Sequence, residues 1–198
     1  MRRVLCINPT SRDHRELQYL HDATPLSCTF HGIADYTVSF DIENSYIPLT
    51  QEIDRILDNI SDLHFDGVFA TNDYPGQIVS SIIAHEMGLL GPTPQTILPL
   101  QDKYYARHLH QDIAPEATPA FEAVSPHDPY LHTVTFPCIV KPIKGAGSLG
   151  TFYVENNQQL MNLVQYCNTY VKPFYELLTA YTYHRPHDAT IIAEAYMP

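Results

Sequence analysis

The first half of the chain alternates short apolar runs with segments in which apolar residues recur at helical spacing. Val4–Ile7 and Gly67–Ala70 are runs of the kind that forms buried strands of a parallel sheet. Apolar residues return every three or four positions in 53–63 and again in 78–87, which predicts two helices that each bury one face. The order strand, helix, strand, helix predicts an α/β domain with a parallel sheet.

The second half has a different pattern, in which β-type segments dominate, and we predict an α+β arrangement for it. The predicted elements are a helix at 100–111, strands at 120–124, 136–143 and 151–154, a helix at 158–170 and a strand at 189–195. The character of the sequence changes between Gly88 and Pro94. We therefore predict two domains, with residues 1–92 in the first and 93–198 in the second.

Charge and length narrow the classes of partner. The chain has 198 residues and a formal charge of -11, from 22 acidic and 11 basic residues. Such a protein is repelled by nucleic acid and by anionic membranes, so neither is an expected partner. Because basic residues are sparse, a phosphate site would have to use one or two lysines together with backbone amides. No segment has the roughly 20 apolar residues that span a bilayer, and none near the start is long enough for the apolar core of a signal peptide. We therefore predict a cytoplasmic protein.

Cysteine and histidine positions do not predict a metal site. The four cysteines are far apart and form no CxxC pair, which indicates reduced thiols: Cys6, Cys28, Cys138 and Cys167. His108 and His110 lie two apart on a predicted helix and so point away from each other. His184 and His187 have no third ligand nearby in the sequence.

A glycine-rich segment, Gly145-Ala146-Gly147-Ser148-Leu149-Gly150, carries the first functional signal. A dinucleotide-binding turn would need a helix directly after it, but Thr151–Val154 is β-type. A P-loop would need a lysine after the last glycine, and a kinase glycine loop has its lysine downstream, whereas Lys141 precedes this loop. What remains is a hairpin whose glycine tip lets backbone N–H groups approach phosphates. A glycine-containing hairpin with a surface lysine is the structural alternative.

Three further segments give the loop a context. Gln101-Asp102-Lys103 opens a helix, the run Phe136–Pro142 leads into the glycine loop, and Ile191–Met197 comes last. In this order and spacing the series resembles the ATP-grasp superfamily, particularly its carboxylate-amine ligase and biotin-carboxylase-like members. The resemblance covers residues 66–198. It implies that 1–92 is the α/β domain preceding the ATP-grasp fold and 93–198 the small ATP-binding lobe.

The resemblance implies a phosphate site. Lys103 and Lys141 match lysines that contact ATP phosphates in the family, and the glycine loop matches one that folds over them. The expected phosphate-binding residues are Lys103, Lys141, Gly145, Ala146, Gly147, Ser148 and Gly150. Charge-assisted contacts of this kind suit a ligand with several negative charges. For Lys103, a solvated lysine on an exposed helix face is the alternative.

The resemblance also implies an adenine site at the last strand. Glu194 lies where the family places an acidic residue near the adenine amino group, and the backbone of Ala195, Tyr196 and Met197 would line the base. The alternative for Glu194 is an ordinary strand-edge glutamate. Tyr196 and Met197 either stack on the base or fill the core.

A third candidate site follows the strand Gly67–Ala70. Asn72, Asp73 and Gly76 lie in the loop after it, and α/β sheets bind ligands at the carboxyl ends of their strands. We consider a substrate loop here, with a plain helix cap as the alternative.

The implied activity is ATP-dependent ligation. A carboxylate would be activated as an acyl phosphate and passed to an amine or similar nucleophile, with ATP and Mg²⁺ as cofactors, small molecules as partners and a homodimer allowed for. In the family the magnesium ligands and the catalytic arginine lie downstream of the strand that ends here at Met197. We therefore expect an amino-terminal fragment with no catalytic residue or metal ligand of its own, inactive alone.

Two alternatives to this activity stay open. One is a non-catalytic nucleotide-binding or regulatory module. The other is a dinucleotide-dependent enzyme that uses the first sheet, which is disfavoured because the loop after Ile7 has no glycine.

Overall fold

The computed structural model describes residues 2–24, 26–31, 49–145, 147–148, 150–182 and 187–197. The described residues divide into two compact units, the first ending at Ile97 and the second beginning at Leu98. The division lies within a short helix, α4 (Pro94–Gln101), slightly beyond the interval Gly88–Pro94. None of the helices in the described ranges is long and apolar enough to cross a membrane.

The first unit is built on a three-stranded parallel sheet in the order β2-β1-β3. The strands are β1 (Arg2–Ile7), β2 (Leu26–His31) and β3 (Gly67–Ala70). Both neighbours run parallel to β1, with Val4 paired to Cys28 on one side and to Gly67 on the other. Because β1 is central, its residues Leu5, Cys6 and Ile7 are fully buried. The parallel sheet and the strands predicted at 4–7 and 67–70 are confirmed.

Three helices accompany this sheet: α1 (Ser11–Ala23), α2 (Leu49–Ile60) and α3 (Ile78–Glu86). α2 buries Ile53, Ile56 and Ile60 at three- and four-residue spacing, as predicted, but it runs from Leu49 to Ile60 rather than over 53–63. Helix α1 was not predicted from the sequence, in which the strand is followed by a loop. None of its residues is buried, so it has no apolar stripe to reveal it. Its signal is the capping box formed by Thr10 and Asp13.

The second unit is built on a four-stranded antiparallel sheet in the order β4-β7-β5-β6. Its strands are β4 (Phe121–Val124), β5 (Cys138–Pro142), β6 (Phe152–Val154) and β7 (Ile191–Ala195). Burial alternates along β5, where Cys138 and Val140 are buried and Ile139 and Lys141 are half-buried. Strands β5 and β6 form the antiparallel pair on either side of the glycine loop.

A long helix, α6 (Asn157–Tyr181), covers one face of this sheet and continues eleven residues beyond the end predicted at 170. Its Leu160, Val164 and Cys167 pack with Val140 and Ala193 in one apolar cluster. Burial raises the pKa of the Cys167 thiol to about 12 and that of Cys138 to about 11, the latter with a contribution from the charge of Glu122. Both thiols therefore stay protonated at neutral pH, as expected of buried structural cysteines.

A shorter helix, α5 (Lys103–Ile113), lies over the opposite face, where the ring of Tyr104 meets that of Phe121 edge-on at 5.8 Å. The helix predicted at 100–111 is confirmed from Lys103 onwards, but its predicted start at 100 is wrong. Asp102 interrupts it with an extended backbone and caps α5, because its Oδ1 accepts from the backbone N–H of Tyr105 at 3.0 Å. The cap fixes where Lys103 lies.

Candidate nucleotide-binding site

The site is built on the α5-facing side of the antiparallel sheet. Strand alternation places Ile139 and Lys141 on this side, and the β5–β7 register sets Ile139 opposite Glu194. Lys141 is therefore the diagonal neighbour of Glu194, and its Nζ donates to Glu194 Oε2 at 2.8 Å.

Arg107, which the sequence analysis did not select, completes this group from α5. Its Nε donates to the other carboxylate oxygen, Glu194 Oε1, at 2.7 Å. We call Arg107, Lys141 and Glu194 the cationic face. Glu194 is 7% exposed. Burial raises its pKa, but the hydrogen bonds and charges of Arg107 and Lys141 outweigh that effect and hold the pKa below its ordinary value.

The cationic face has an excess of one positive charge. Two cations and one carboxylate sum to +1, and the side chains of Arg107 and Lys141 are only 25% and 18% exposed. A partly buried excess charge is unfavourable unless an anion compensates it. In a chain with a net charge of -11, this is a local attraction for an anionic ligand.

A cavity of about 420 Å³ lies beside the cationic face. Its lining is mostly apolar, with Arg107, Ile139 and Glu194 on one side and the end of β7 and the turn after α5 on the others. The lining residues are Arg107, His110, Ile113, Ala114, Ala117, Thr118, Pro119, Ile139, Glu194, Ala195, Tyr196 and Met197. Small-molecule sites have this size and this combination of apolar walls with few polar groups.

Strand β7 ends at Ala195, which lines this cavity. Ala195 pairs with Cys138 of β5, and its backbone N–H donates to the carbonyl of Ala120 at 2.8 Å. Pro137 directly precedes β5, and Pro119 lies two positions before the start of β4. Since proline has no backbone N–H, neither of these two residues can donate a backbone hydrogen bond to the residues that follow β7.

Tyr196 and Met197 follow as exposed residues, 45% and 64% accessible. The ring of Tyr196 meets that of Tyr153 edge-on at 5.2 Å. The alternative that these two residues fill the core is therefore wrong.

Lys103 is directed at the glycine loop rather than at solvent. Its Nζ donates to the carbonyls of Pro142 and Gly145, both at 3.1 Å, and lies 3.5 Å from that of Ile143. Its backbone N–H donates to the Ile143 carbonyl at 3.0 Å. Lys103 is half-buried, so the alternative of a lysine on an exposed helix face does not hold.

The loop between β5 and β6 begins in the interior, is exposed at Gly147 and Ser148, and is buried again at Gly150. Lys144 is buried and donates to the side-chain oxygen of Gln101, a contact that the sequence analysis missed. Gly147 and Gly150 have φ angles of +61° and +71°, which side chains rarely adopt, and Ser148 has φ +60°. The predicted phosphate residue Ala146 lies outside the described residues.

A buried polar group supports the start of α5. Asp102 is fully buried, and its Oδ2 lies 3.3 Å from His187 Nε2. The hydroxyl of Tyr175 donates to the Ala189 carbonyl at 2.8 Å. Burial, with the charges of Asp102 and Asp188, raises the Tyr175 pKa above its ordinary value, so this hydroxyl stays protonated.

The candidate substrate loop lies at the carboxyl end of the parallel sheet in the first unit. Asn72 Nδ2 donates to the Asn8 carbonyl, and its Oδ1 accepts from the Gly76 N–H, both at 2.8 Å. Asp13 Oδ2 accepts from the backbone and hydroxyl of Thr10 and from the hydroxyl of Thr71, at 2.6 to 2.7 Å. We call the hydrogen-bonded group formed by these residues the loop edge: Asn8, Thr10, Asp13, Thr71, Asn72 and Gly76.

The loop edge is held by its own hydrogen bonds. Asn72 caps the short helical turn Asp73–Gln77 that precedes α3, which is the structural alternative, while substrate contact at Asn72, Asp73 and Gly76 stays a prediction. Throughout the described ranges, no group of three or more His, Cys, Asp or Glu residues could hold a metal ion.

Neither a protein-family model nor a curated protein sequence matches the chain. Solved structures do match it. An L-amino acid ligase from Bacillus licheniformis superposes with a TM-score of 0.66 at 17% identity, covering 100% of this chain and 44% of that one. An ATP-grasp protein with a RimK domain from Sphaerobacter thermophilus gives 0.54 at 11% identity, covering 99% and 64%. The chain has the ATP-grasp fold.

A third match is the biotin carboxylase domain of 2-oxoglutarate carboxylase from Hydrogenobacter thermophilus, solved with MgADP, ADP and bicarbonate. Its TM-score is 0.58 at 15% identity, covering 99% of this chain and 44% of that one. The chain thus spans between 44% and 64% of the length of these ATP-grasp structures.

Proposed function

We propose that this chain provides the nucleotide-binding face of an ATP-dependent ligase. The observation that carries the proposal is the cationic face, where a buried carboxylate holds two cations beside a cavity of about 420 Å³. We assign residues 1–92 to the domain that precedes the ATP-grasp fold and 93–198 to its small ATP-binding lobe.

The phosphates would be bound at the loop end of the site. Lys141 supplies one charge-assisted contact, and Lys103 a second once its Nζ turns from the loop carbonyls towards an anion. The glycines of the loop allow its backbone N–H groups to approach phosphate oxygens. Lys103 contacts the loop carbonyls directly, so phosphate binding and loop position are expected to be coupled.

The base would lie in the cavity, against Ile139. Strand β7 ends at Ala195, and the prolines that precede β4 and β5, Pro119 and Pro137, have no backbone N–H to donate to the carbonyls beyond it. Adenine presents an amino donor and ring-nitrogen acceptors along one edge, which suits an open stretch of strand backbone. Tyr196 and Met197 are exposed at this point and available to cover the ring.

The described residues do not fit a Mg²⁺ site. Magnesium prefers several carboxylate or phosphate oxygens, and no cluster of this kind occurs in the described part of the chain. We therefore assign no metal ligand and derive no step through the metal.

The reaction class is proposed by analogy with the ligases of the same fold. A carboxylate oxygen would attack the γ-phosphorus of ATP as the bond to ADP breaks, which gives an acyl phosphate. An amine would then attack the acyl carbon, inorganic phosphate would leave, and the amine would lose a proton. The contribution of the residues described above is to bind and orient the nucleotide.

Calorimetric titration of this chain with a non-hydrolysable ATP analogue and MgCl₂ tests the proposal. Lys141→Ala should weaken binding roughly tenfold or more, because it removes a partly buried charge contact while Arg107 still neutralises Glu194. Lys172→Ala, which removes an exposed lysine of α6, is the matched control and should bind like the unmodified chain. Equal affinities for the Lys141 variant and the unmodified chain would reject the assignment.

A further inference from the structure

We propose that Arg107 is the positioning residue that keeps Glu194 ionised when Lys141 moves to a bound phosphate. The inference rests on the proposed function and extends it to a residue that neither the sequence motifs nor the comparisons assign. It starts from a competition in the structure, where the Lys141 ammonium needed for a phosphate is bound to Glu194 at 2.8 Å.

Lys141 can bind a phosphate only if Glu194 remains a stable carboxylate after the Lys141 ammonium has moved away. Glu194 is 7% exposed, and a carboxylate buried to this extent takes up a proton unless a cation or several donors hold it. With Lys141 and Glu194 alone, nucleotide binding would compete with the ion pair. A lysine bound to phosphate would then leave behind a buried, unpaired carboxylate.

Arg107 removes this competition. Its Nε binds the carboxylate oxygen that Lys141 does not use, at 2.7 Å, so the two cations do not exclude each other. When Lys141 leaves, Arg107 and Glu194 remain as a neutral pair, and the excess positive charge moves to the phosphate with Lys141. A guanidinium suits this role because it stays charged at any working pH.

Few other charged groups face Glu194 among the described residues. From α5 there are Arg107 and His110, whose Nδ1 lies 3.1 Å from Arg107 Nη1, and from β5 there is Lys141. From β4 the residue paired with Glu194 is Phe121, which carries no charge. Among the described residues, proton uptake at Glu194 has therefore to be distinguished from any contribution of the neighbouring His110.

The test is calorimetric titration with the same ATP analogue at several pH values from about 5.5 to about 8, in buffers of different ionisation enthalpy. The unmodified chain should bind without proton uptake at Glu194. In Arg107→Met, departure of Lys141 leaves Glu194 without a cation and raises its pKa, so binding should take up a proton. Affinity at neutral pH should fall about tenfold and recover as the pH is lowered.

Arg107→Met/Glu194→Gln isolates the effect. Both variants lack Arg107 and retain His110, and ATP titrates equally in both, so the difference in proton uptake between them reports Glu194 alone. The double variant should show no excess proton uptake. Arg55→Met, which removes the arginine of the Arg55–Glu52 pair in the first unit, is a control that should bind like the unmodified chain.

Equal proton uptake in Arg107→Met and the double variant, or unchanged affinity in Arg107→Met, would overturn the inference. Should Arg107→Met not fold, the NMR resonance of the Arg107 Nε–H in the unmodified chain provides the test. The inference requires that its hydrogen bond to Glu194 persists when nucleotide is bound. Its loss on binding would overturn the inference. Failure of the unmodified chain to bind any nucleotide would instead reject the proposed function, so the two failures are distinguishable.

Discussion

The loop edge of the first unit and the cationic face of the second both gather polar side chains at a sheet, but they satisfy them differently. At the loop edge, Asp13 and Asn72 are bound by neutral donors and acceptors of the neighbouring loops and helix. At the cationic face, two full charges from separate elements meet on Glu194 beside a cavity. The first arrangement stabilises loops, whereas the second leaves a charge for a ligand to compensate.

The largest expected effect is at Glu194. Glu194→Ala leaves Arg107 and Lys141 facing each other without a counter-charge, and we expect a loss of about 3 kcal/mol in the free energy of unfolding. Urea denaturation measures it. Glu155→Ala, which removes an exposed carboxylate after β6, should change stability by less than about 0.5 kcal/mol. A loss below about 1 kcal/mol for the Glu194 variant would show that this carboxylate does not hold the two cations together.

The next effect tests whether the loop edge is structural. A methyl group at Gly76 would overlap the Asn72 amide, so Gly76→Ala should cost about 2 kcal/mol in urea denaturation. Gly91→Ala is the matched control, because its added methyl meets Ala84 at an ordinary 3.7 Å. If the overlap is the cause, Asn72→Ala/Gly76→Ala should cost less than the sum of the single changes. If the costs of the two single changes simply add in the double variant, the cost of Gly76→Ala does not come from overlap with Asn72.

The pH dependence of stability separates the two carboxylates. Burial raises the pKa of Asp13 and of Glu194, but hydrogen bonds outweigh it in both, from Thr10 and Thr71 for Asp13 and from two cations for Glu194. Since both folded pKa values are lowered, the stabilisation is complete above the ordinary values of 3.8 and 4.5 and is lost as the pH falls through the folded values.

Urea denaturation between about pH 3 and pH 7 is the measurement. Glu194→Gln and Asp13→Asn should each reduce the amount of unfolding free energy that is lost at low pH. The Glu194 variant should also make the remaining profile more sensitive to salt, because it leaves two like charges close together. Identical acid profiles for Glu194→Gln and the unmodified chain would contradict the assigned cause of its lowered pKa.

The smallest expected effect is in the glycine loop. Ser148 adopts φ +60°, which costs a residue with a side chain free energy that glycine does not lose. Ser148→Gly should therefore stabilise the chain by no more than about 0.5 kcal/mol, since the added freedom of the unfolded chain offsets part of the stabilisation. Thermal denaturation is the measurement, with Ser148→Ala as the comparison. A melting temperature of Ser148→Gly below that of the unmodified chain would contradict the strain assigned to the Ser148 backbone.

The sequence predicts those parts of the fold in which burial is periodic. Strands β1, β3, β5 and β7 and helix α2 were expected because their apolar residues follow strand or helix spacing. Helix α1 was missed because nothing in it is buried, although Thr10 and Asp13 form a capping box. The segment Gln101-Asp102-Lys103 was expected to open a helix and does so, but the predicted bounds 100–111 missed the break at Asp102 between α4 and α5.

The candidate site was predictable only in part, for a physical reason. Lys103, Lys141 and Glu194 stand in motifs, so their positions could be selected from the sequence. Arg107 contacts Glu194 across 87 residues of sequence, and no local pattern marks that contact.

The contrast between the two regions is tested most directly by amide NMR of this chain during titration with a non-hydrolysable ATP analogue. We expect shifts at Ile139, Lys141, Ala195 and Met197, and at Gly147 in the loop, with the amides of Thr71 and Asn72 unchanged. Shifts concentrated at the loop edge, or none at the cationic face under saturating analogue, would contradict this expectation.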